Sequence, residues 1–330
     1  MCRKILGVIA ACVLMLGLNG CSEQQKQVVR ISHTQVESHP AHRALLAFKN
    51  HIEKKSQGRY DIQIFPNSTL GADEKVLELI KQGSVQFLLV SSANIEYFDS
   101  LYSIYSFPYL FTSQEAYEEY IVSEEVLDRL SVNAQRNGFV PIVAFNVGTR
   151  NFYSKTPIYS VTDLQGKKFR VPAGSVNIAM MQAFGATAVP MSFGEVYSAL
   201  QQGIIDGAAN NELALIDQKH GDIAKFYTYD MHQMCPDYLI ASNKFLKNMS
   251  KEDKKMFKEA AALAQKVEFH TWNDAVELAV DKAKSKQVKF IEVDVEEFRS
   301  HVINLHEQLM AANPELRELY DIAEQCNKNH

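Results

Sequence analysis

Basic clusters are missing from this 330-residue chain. Its 34 Lys and Arg stand against 39 Asp and Glu, a formal charge of −5 that argues against nucleic acid as a partner. A bilayer-spanning apolar run is missing too, since the uninterrupted stretch Ile5–Leu18 has only 14 residues. Cysteine is scarce: of five, Cys2 and Cys12 lie within the first 20 residues, Cys21 follows them, and only Cys235 and Cys326 remain. Without a Cys-x-x-Cys spacing no metal site is expected, and the last two cysteines read as free thiols or as one disulfide, free thiols being the simpler reading. No Gly-x-Ser-x-Gly elbow, His-Glu-x-x-His helix, phosphate loop or close cysteine–histidine pair is present. An enzyme is therefore the lesser reading, open only to catalytic groups distant in sequence, and no cofactor is expected.

What is present begins with a leader. Arg3 and Lys4 precede the apolar stretch, and Leu18-Asn19-Gly20-Cys21 closes it, so residues 1–20 read as a signal peptide. A cysteine directly after Gly20 resembles the lipobox of bacterial lipoproteins, with Asn19 as a departure. That resemblance implies lipidation of Cys21, a tether over residues 21–27 and a periplasmic, membrane-anchored protein; plain secretion is the alternative. The rest, with 46% hydrophobic residues overall, is long enough for two domains.

Strand-like Val28–Ser32, a helical stripe over 40–56, alternating Tyr60–Phe65, a helix from Asp73 to Gly83 and apolar Val85–Val90 form a β-α-β-α-β series. Such a series predicts an α/β fold in which helices cover a mixed sheet and ligands bind beyond the strand ends. Leu77–Phe87 and Tyr197–Gly207 are similar units, each a helix ended by Gln-Gly and followed by a strand, which suggests two lobes of related design. Apolar Phe139–Phe145 runs into Gly148, a natural hinge. The aromatic run Phe107–Phe111 reads as a core plug. Ser250 and Asp253 cap a helix whose apolar stripe continues to about Lys286, long enough to brace both lobes.

The chemistry is concentrated between Gly148 and Asn211. Arg150 and Arg170 each stand where strand-like sequence meets a loop, and a guanidinium grips a carboxylate bidentately at any ordinary pH. Gly148-Thr149-Arg150, Lys168-Phe169-Arg170-Val171-Pro172, "MSFGEVYSALQQGIIDGAANN" and the earlier "FPNSTLGADE" together resemble the substrate-binding proteins of tripartite ATP-independent periplasmic (TRAP) transporters, the dicarboxylate-binding, DctP-like family. The likeness covers nearly all of the chain after the leader.

The resemblance implies a two-lobed periplasmic-binding-protein fold with a cleft between lobes, 28–147 and 236–275 forming the N-terminal lobe and 148–235 and 276–330 the C-terminal one. It implies Arg170 as the main carboxylate clamp, Arg150 as a second cation, Asn210 as a hydrogen-bonding group and Phe193 as a pocket wall. His232, His33 and Asp73 are further candidates to complete the site. Ser91 and Ser92 stand where sugar-acid binders of the family often have an acidic residue, so strongly polyol ligands are disfavoured by that comparison. The implied ligand is a small organic acid (a C4-dicarboxylate, uronate or related anion), and the implied partners are the TRAP permease subunits. A receptor presenting the same acid to a sensor kinase is the alternative.

Overall fold

Two mixed β-sheets carry the computed structural model, which describes residues 26–330; the leader, Cys21 and the tether up to Gln25 lie outside the described residues. The first sheet contains β1 (Gln27–Ser32), β2 (Tyr60–Phe65), β3 (Phe87–Ser91), β4 (Phe139–Phe145) and β10 (Asp237–Ser242), in the order β2-β1-β3-β10-β4. β1 pairs parallel with β2 and β3, whereas β10 runs antiparallel between β3 and β4. The second sheet has the order β11-β9-β5-β8-β6-β7, from β5 (Arg150–Ser154), β6 (Lys168–Val171), β7 (Thr187–Pro190), β8 (Gly207–Asn210), β9 (Phe226–Gln233) and β11 (Lys289–Glu292).

Each sheet is covered on both faces, and strand alternation distributes its side chains between two cores. Along β3, Phe87 and Leu89 enter one core with Phe48 and Leu239, while Leu88 and Val90 enter the other with Tyr238 and Ile240. In the second sheet Phe152 and Phe169 pack on one side and Tyr153 and Ala208 on the other. The helix Pro40–Lys55 begins where Pro40 presets the backbone and the His39 ring accepts the Ala41 N–H at 3.1 Å. It then buries Ala44, Leu45, Phe48 and Ile52.

The chain crosses between lobes at 146–149 and returns at 234–236, so β5 and β9 leave the junction next to β4 and β10. The 35-residue helix Lys251–Ser285, whose first turn is capped by Ser250 Oγ accepting the Asp253 N–H at 3.0 Å, extends about 52 Å. Met256, Phe257, Ala260 and Ala264 pack in the first lobe and Ala283 in the second. Between them Trp272 meets Val147 and Leu213 at the junction.

Packing corrects one expected boundary. Val288, Phe298 and Val302 do sit in the cores of the second lobe, but Leu316, Leu319, Ala323 and Cys326 join the first lobe's core beside Tyr117 and Tyr120. Tyr120 Oη donates to Leu319 O at 3.1 Å and Asn327 Nδ2 to Leu110 O at 2.8 Å, so the final helix, Arg317–Asn329, returns to the N-terminal half. Phe107, Leu110 and Phe111 are buried there too, while Tyr109 reaches into the second lobe, its N–H donating to His232 O at 2.8 Å. Cys235 and Cys326 are buried free thiols. Among the described residues no helix is long and apolar enough to cross a membrane.

Candidate functional site

A narrow cleft, lined from both lobes, opens where the strand ends of the two sheets face each other. Its second-lobe wall is cationic. Arg150, at the start of β5, is 8% exposed; its Nη1 donates to Ala209 O at 3.2 Å and its Nη2 to Ser91 Oγ at 3.3 Å across the cleft. Arg170, on β6, is 3% exposed, with Nε donating to Met191 O at 3.0 Å and its guanidinium 5.7 Å from the centre of the Phe193 ring. No carboxylate of the described residues pairs with either arginine, and the Nη atoms of Arg170 have no protein acceptor among them. Burial, and secondarily the Arg150 charge, lowers the Arg170 pKa to about 10, so it remains protonated at neutral pH. Two buried like charges with no carboxylate in direct contact are costly to the empty protein, and an anion between them would offset that cost.

The first-lobe wall is acidic and amide-rich. Asp73 opens the helix Asp73–Gln82 and accepts from Asn94 Nδ2 at 2.8 Å. Burial is the main force raising its pKa to about 7, opposed by the Asn94 bond and the distant Arg170. Asp237, the first residue of β10, lies directly opposite Ser91 in the antiparallel ladder. Its pKa is raised to about 6, again chiefly by burial, with the Arg150 charge and a hydrogen bond from Gln35 acting the other way. Thr34, Gln35, Asn94, Asn210 and Asn211 complete the polar lining, and Val147, Pro172 and Phe193 supply apolar surface. Such a cleft is chemically able to take a carboxylate at its cationic end and hydroxyl groups at its acidic end, because an ionised carboxylate accepts hydroxyl protons.

Of the residues singled out from the sequence, Arg150, Arg170, Asn210, Phe193, Asp73 and Ser91 meet in this cleft. Phe193 follows Ser192, whose N–H donates to Glu195 Oε2 at 3.0 Å, fixing the turn that lays the ring on Arg170. Asn210 lines the cleft, and its Oδ1 accepts the Asn211 N–H at 2.9 Å. Three residues are elsewhere. His232 is fully buried, stacked on Phe152 at 4.4 Å between ring centres, with Nδ1 2.6 Å from Asp230 Oδ2. His33 sits behind the first-lobe wall with Nε2 3.0 Å from His42 Nδ1, and burial lowers its pKa to about 3, so it is neutral. Ser92, the first residue of the short helix that follows β3, turns into the first-lobe interior at zero exposure, whereas Ser91 at the strand end faces the cleft.

Asp237 is the main residue that sequence reasoning missed. It stands just after the second crossing, at a strand start equivalent to that of Arg150 after the first, and this symmetry of the crossings was the available signal. The acid thought absent beside Ser91 comes from the neighbouring strand. Asn211 was also missed as a structural group: Nδ2 donates to Val147 O at 3.1 Å and Oδ1 accepts the Leu213 N–H at 3.2 Å, tying the second lobe to the junction.

Comparison with known proteins agrees with this architecture. An uncharacterized protein of Salmonella typhimurium, YiiZ, is 34% identical over 295 residues, covering 89% of this chain and 90% of that one. The C4-dicarboxylate-binding periplasmic protein DctP of Shewanella loihica is 28% identical over 262 residues, 78% of each. Among solved structures, a TRAP periplasmic solute binding protein from Anaerococcus prevotii with bound D-glucuronate superposes with a TM-score of 0.91 at 38% identity, over 92% of this chain and 99% of that one. Another, from Xanthobacter autotrophicus with bound β-D-galacturonate, gives 0.86 at 27% identity, over 90% and 99%. The sequence profile described as bacterial extracellular solute-binding protein, family 7 (DctP) matches residues 31–313, and the chain belongs to that family of TRAP solute-binding proteins.

Proposed function

We propose that this protein captures a hexuronate outside the cytoplasmic membrane, encloses it between its lobes by an arginine–carboxylate clamp, and delivers it to a TRAP permease. One observation carries the reading: two buried arginines, neither in a direct ion pair, face two buried aspartates across a single cleft. Arg170 grips the sugar carboxylate with its free Nη atoms, Arg150 adds a second positive charge, and Asn210 donates to the same end. Asp73 and Asp237 accept from ring hydroxyls, with Asn94 and Gln35 beside them. A C4-dicarboxylate fits this charge pattern less well, because its second carboxylate would face Asp73 and Asp237, and like-charge juxtaposition costs several kcal/mol. The solved relatives hold glucuronate or galacturonate, which supports the same choice. Nothing is made or broken chemically, and Cys21 anchors the mature chain to the membrane.

Calorimetry with D-glucuronate, D-galacturonate and succinate tests this directly. The uronates are expected to bind at micromolar or better affinity, about −8 kcal/mol. Arg170→Ala is expected to lose about 2–5 kcal/mol, and Arg170→Lys to recover only part of it, because an ammonium cannot form the bidentate fork. Unchanged affinity in a folded Arg170→Ala protein removes the clamp; succinate binding more tightly than either uronate removes the ligand assignment.

A further inference from the structure

Glu96 is a buried acid outside the ligand cleft, at the end of the short helix Ser92–Ile95 that follows β3. Its carboxylate does not serve its own lobe alone. Oε2 accepts from Ser106 Oγ at 3.0 Å within the first lobe, whereas Oε1 accepts from Ser175 Oγ at 3.1 Å and the Val176 N–H at 3.4 Å. Ser175 and Val176 begin the helix Ser175–Ala183 of the second lobe, so a carboxylate stands at the positive end of that helix, where its charge is favourable. A second bond reinforces the first: Asn177 Nδ2 donates to Ser106 Oγ at 3.3 Å, and the Val176 side chain inserts into the first lobe's core.

Gly174 makes the approach possible for a reason unrelated to backbone freedom, since its φ of −75° suits any residue. A Cβ there would lie 2.3 Å from Glu96 Oε2 and 2.7 Å from the carboxyl carbon. The sequence thus keeps open the space that the carboxylate fills. The same segment leads straight from the clamp: Arg170 and Val171 end β6, Pro172 lines the cleft, and Gly174 is two residues further.

From this geometry we infer that Glu96 is a positioning residue for ligand capture: it latches the helix after the clamp strand to the opposite lobe and holds Arg170 in the closed arrangement. The inference rests on the uronate reading for its ligand, but the latch itself acts between lobes. A latch that stabilises the closed form slows release and leaves encounter with the open form nearly unchanged.

The single tryptophan, Trp272, is buried at the junction against Val147 and Gly148 and reports closure by stopped-flow fluorescence. Glu96→Ala is expected to speed D-glucuronate release about 10- to 100-fold, the span of a lost charged hydrogen bond, with association changed less than about threefold. Glu96→Gln, which keeps an acceptor for Ser175 and Val176, is expected to fall between, and Gly174→Ala to act in the same direction as Glu96→Ala without touching the charge. Wild-type release rates in both Glu96→Ala and Gly174→Ala overturn the latch, as does equal slowing of association and acceleration of release. Spin labels on exposed Lys54→Cys and Gln202→Cys measure lobe separation without ligand. There Glu96→Ala is expected to widen the distance distribution, and an unchanged distribution overturns the latch even if D-glucuronate does not bind. Failure of the wild-type protein to bind D-glucuronate, with the widened distribution retained, sinks the uronate reading alone.

Discussion

Arg150 and Arg170 gain their meaning from what does not neutralise them. Both are buried, and the acids nearest the cleft, Asp73 and Asp237, stand on the other wall with pKa values raised to about 7 and about 6. Above those values both aspartates are ionised, accept hydroxyl protons and repel a second carboxylate; below them they are neutral and the repulsion fades. Discrimination between D-glucuronate and succinate should therefore increase from pH 6.5 to 8.5, a window in which both ligands stay ionised. A rise of about threefold to tenfold in the ratio of dissociation constants is expected, since one pKa unit corresponds to tenfold. Asp73→Asn should flatten the dependence. Calorimetric titrations at the two pH values check this, and a ratio that is flat or falls with pH in the wild-type protein refutes the hydroxyl-acceptor role. Position at the end of an apolar run only drew attention to the arginines, and the motifs shared with the TRAP family singled them out. Asp237 was not legible in the sequence, since its neighbour Ser91 lies 146 positions away and only the antiparallel register brings them together.

Elements show the same division between local and distant information. The brace Lys251–Ser285 was readable from its cap and its stripe, because both repeat along one helix. The final helix carries an equally regular face, Leu319, Ala323 and Cys326, yet periodicity says only that a face is buried and not against which lobe. Gly148 sits where these elements converge. Its φ of 65° is left-handed, its N–H donates to Asn146 Oδ1 at 2.9 Å, and a Cβ would come 3.2 Å from Trp272 Nε1. Gly148→Ala should destabilise the protein by about 1–2 kcal/mol from backbone strain alone, and by more once Trp272 must shift. Gly166→Ala is the matched control, with φ of 72° and no atom within 4 Å of the added Cβ. Urea midpoints measured for both separate the two effects: equal losses would mean that the Trp272 contact at the junction carries no strain.

At the scale of the whole molecule, the crossings at 146–149 and 234–236, the long helix, the return of the final helix to the first lobe, and contacts such as those of Glu96 and Tyr109 join bodies that have separate sheets. That two-lobed arrangement was legible in outline from the repeated helix–Gln-Gly–strand unit, both copies of which end on a left-handed glycine, Gly83 at φ 81° and Gly203 at φ 73°. Without an anion, the empty cleft holds the Arg150 and Arg170 charges close together, and that repulsion is strongest when the lobes are shut and water is excluded. A carboxylate reverses the sign: it turns the most repulsive part of the closed form into its most attractive part. Ligand should therefore shift the population toward closure, by no more than its difference in affinity for the two forms. Small-angle scattering should give a radius of gyration for a chain of this length near ~20 Å, smaller by on the order of 1 Å with saturating D-glucuronate. The same ligand should leave Arg170→Ala unchanged. Identical curves for wild-type protein with and without ligand, under conditions where calorimetry shows binding, would mean that the cleft is preformed and that the buried arginines are held in place by the fold rather than by closure.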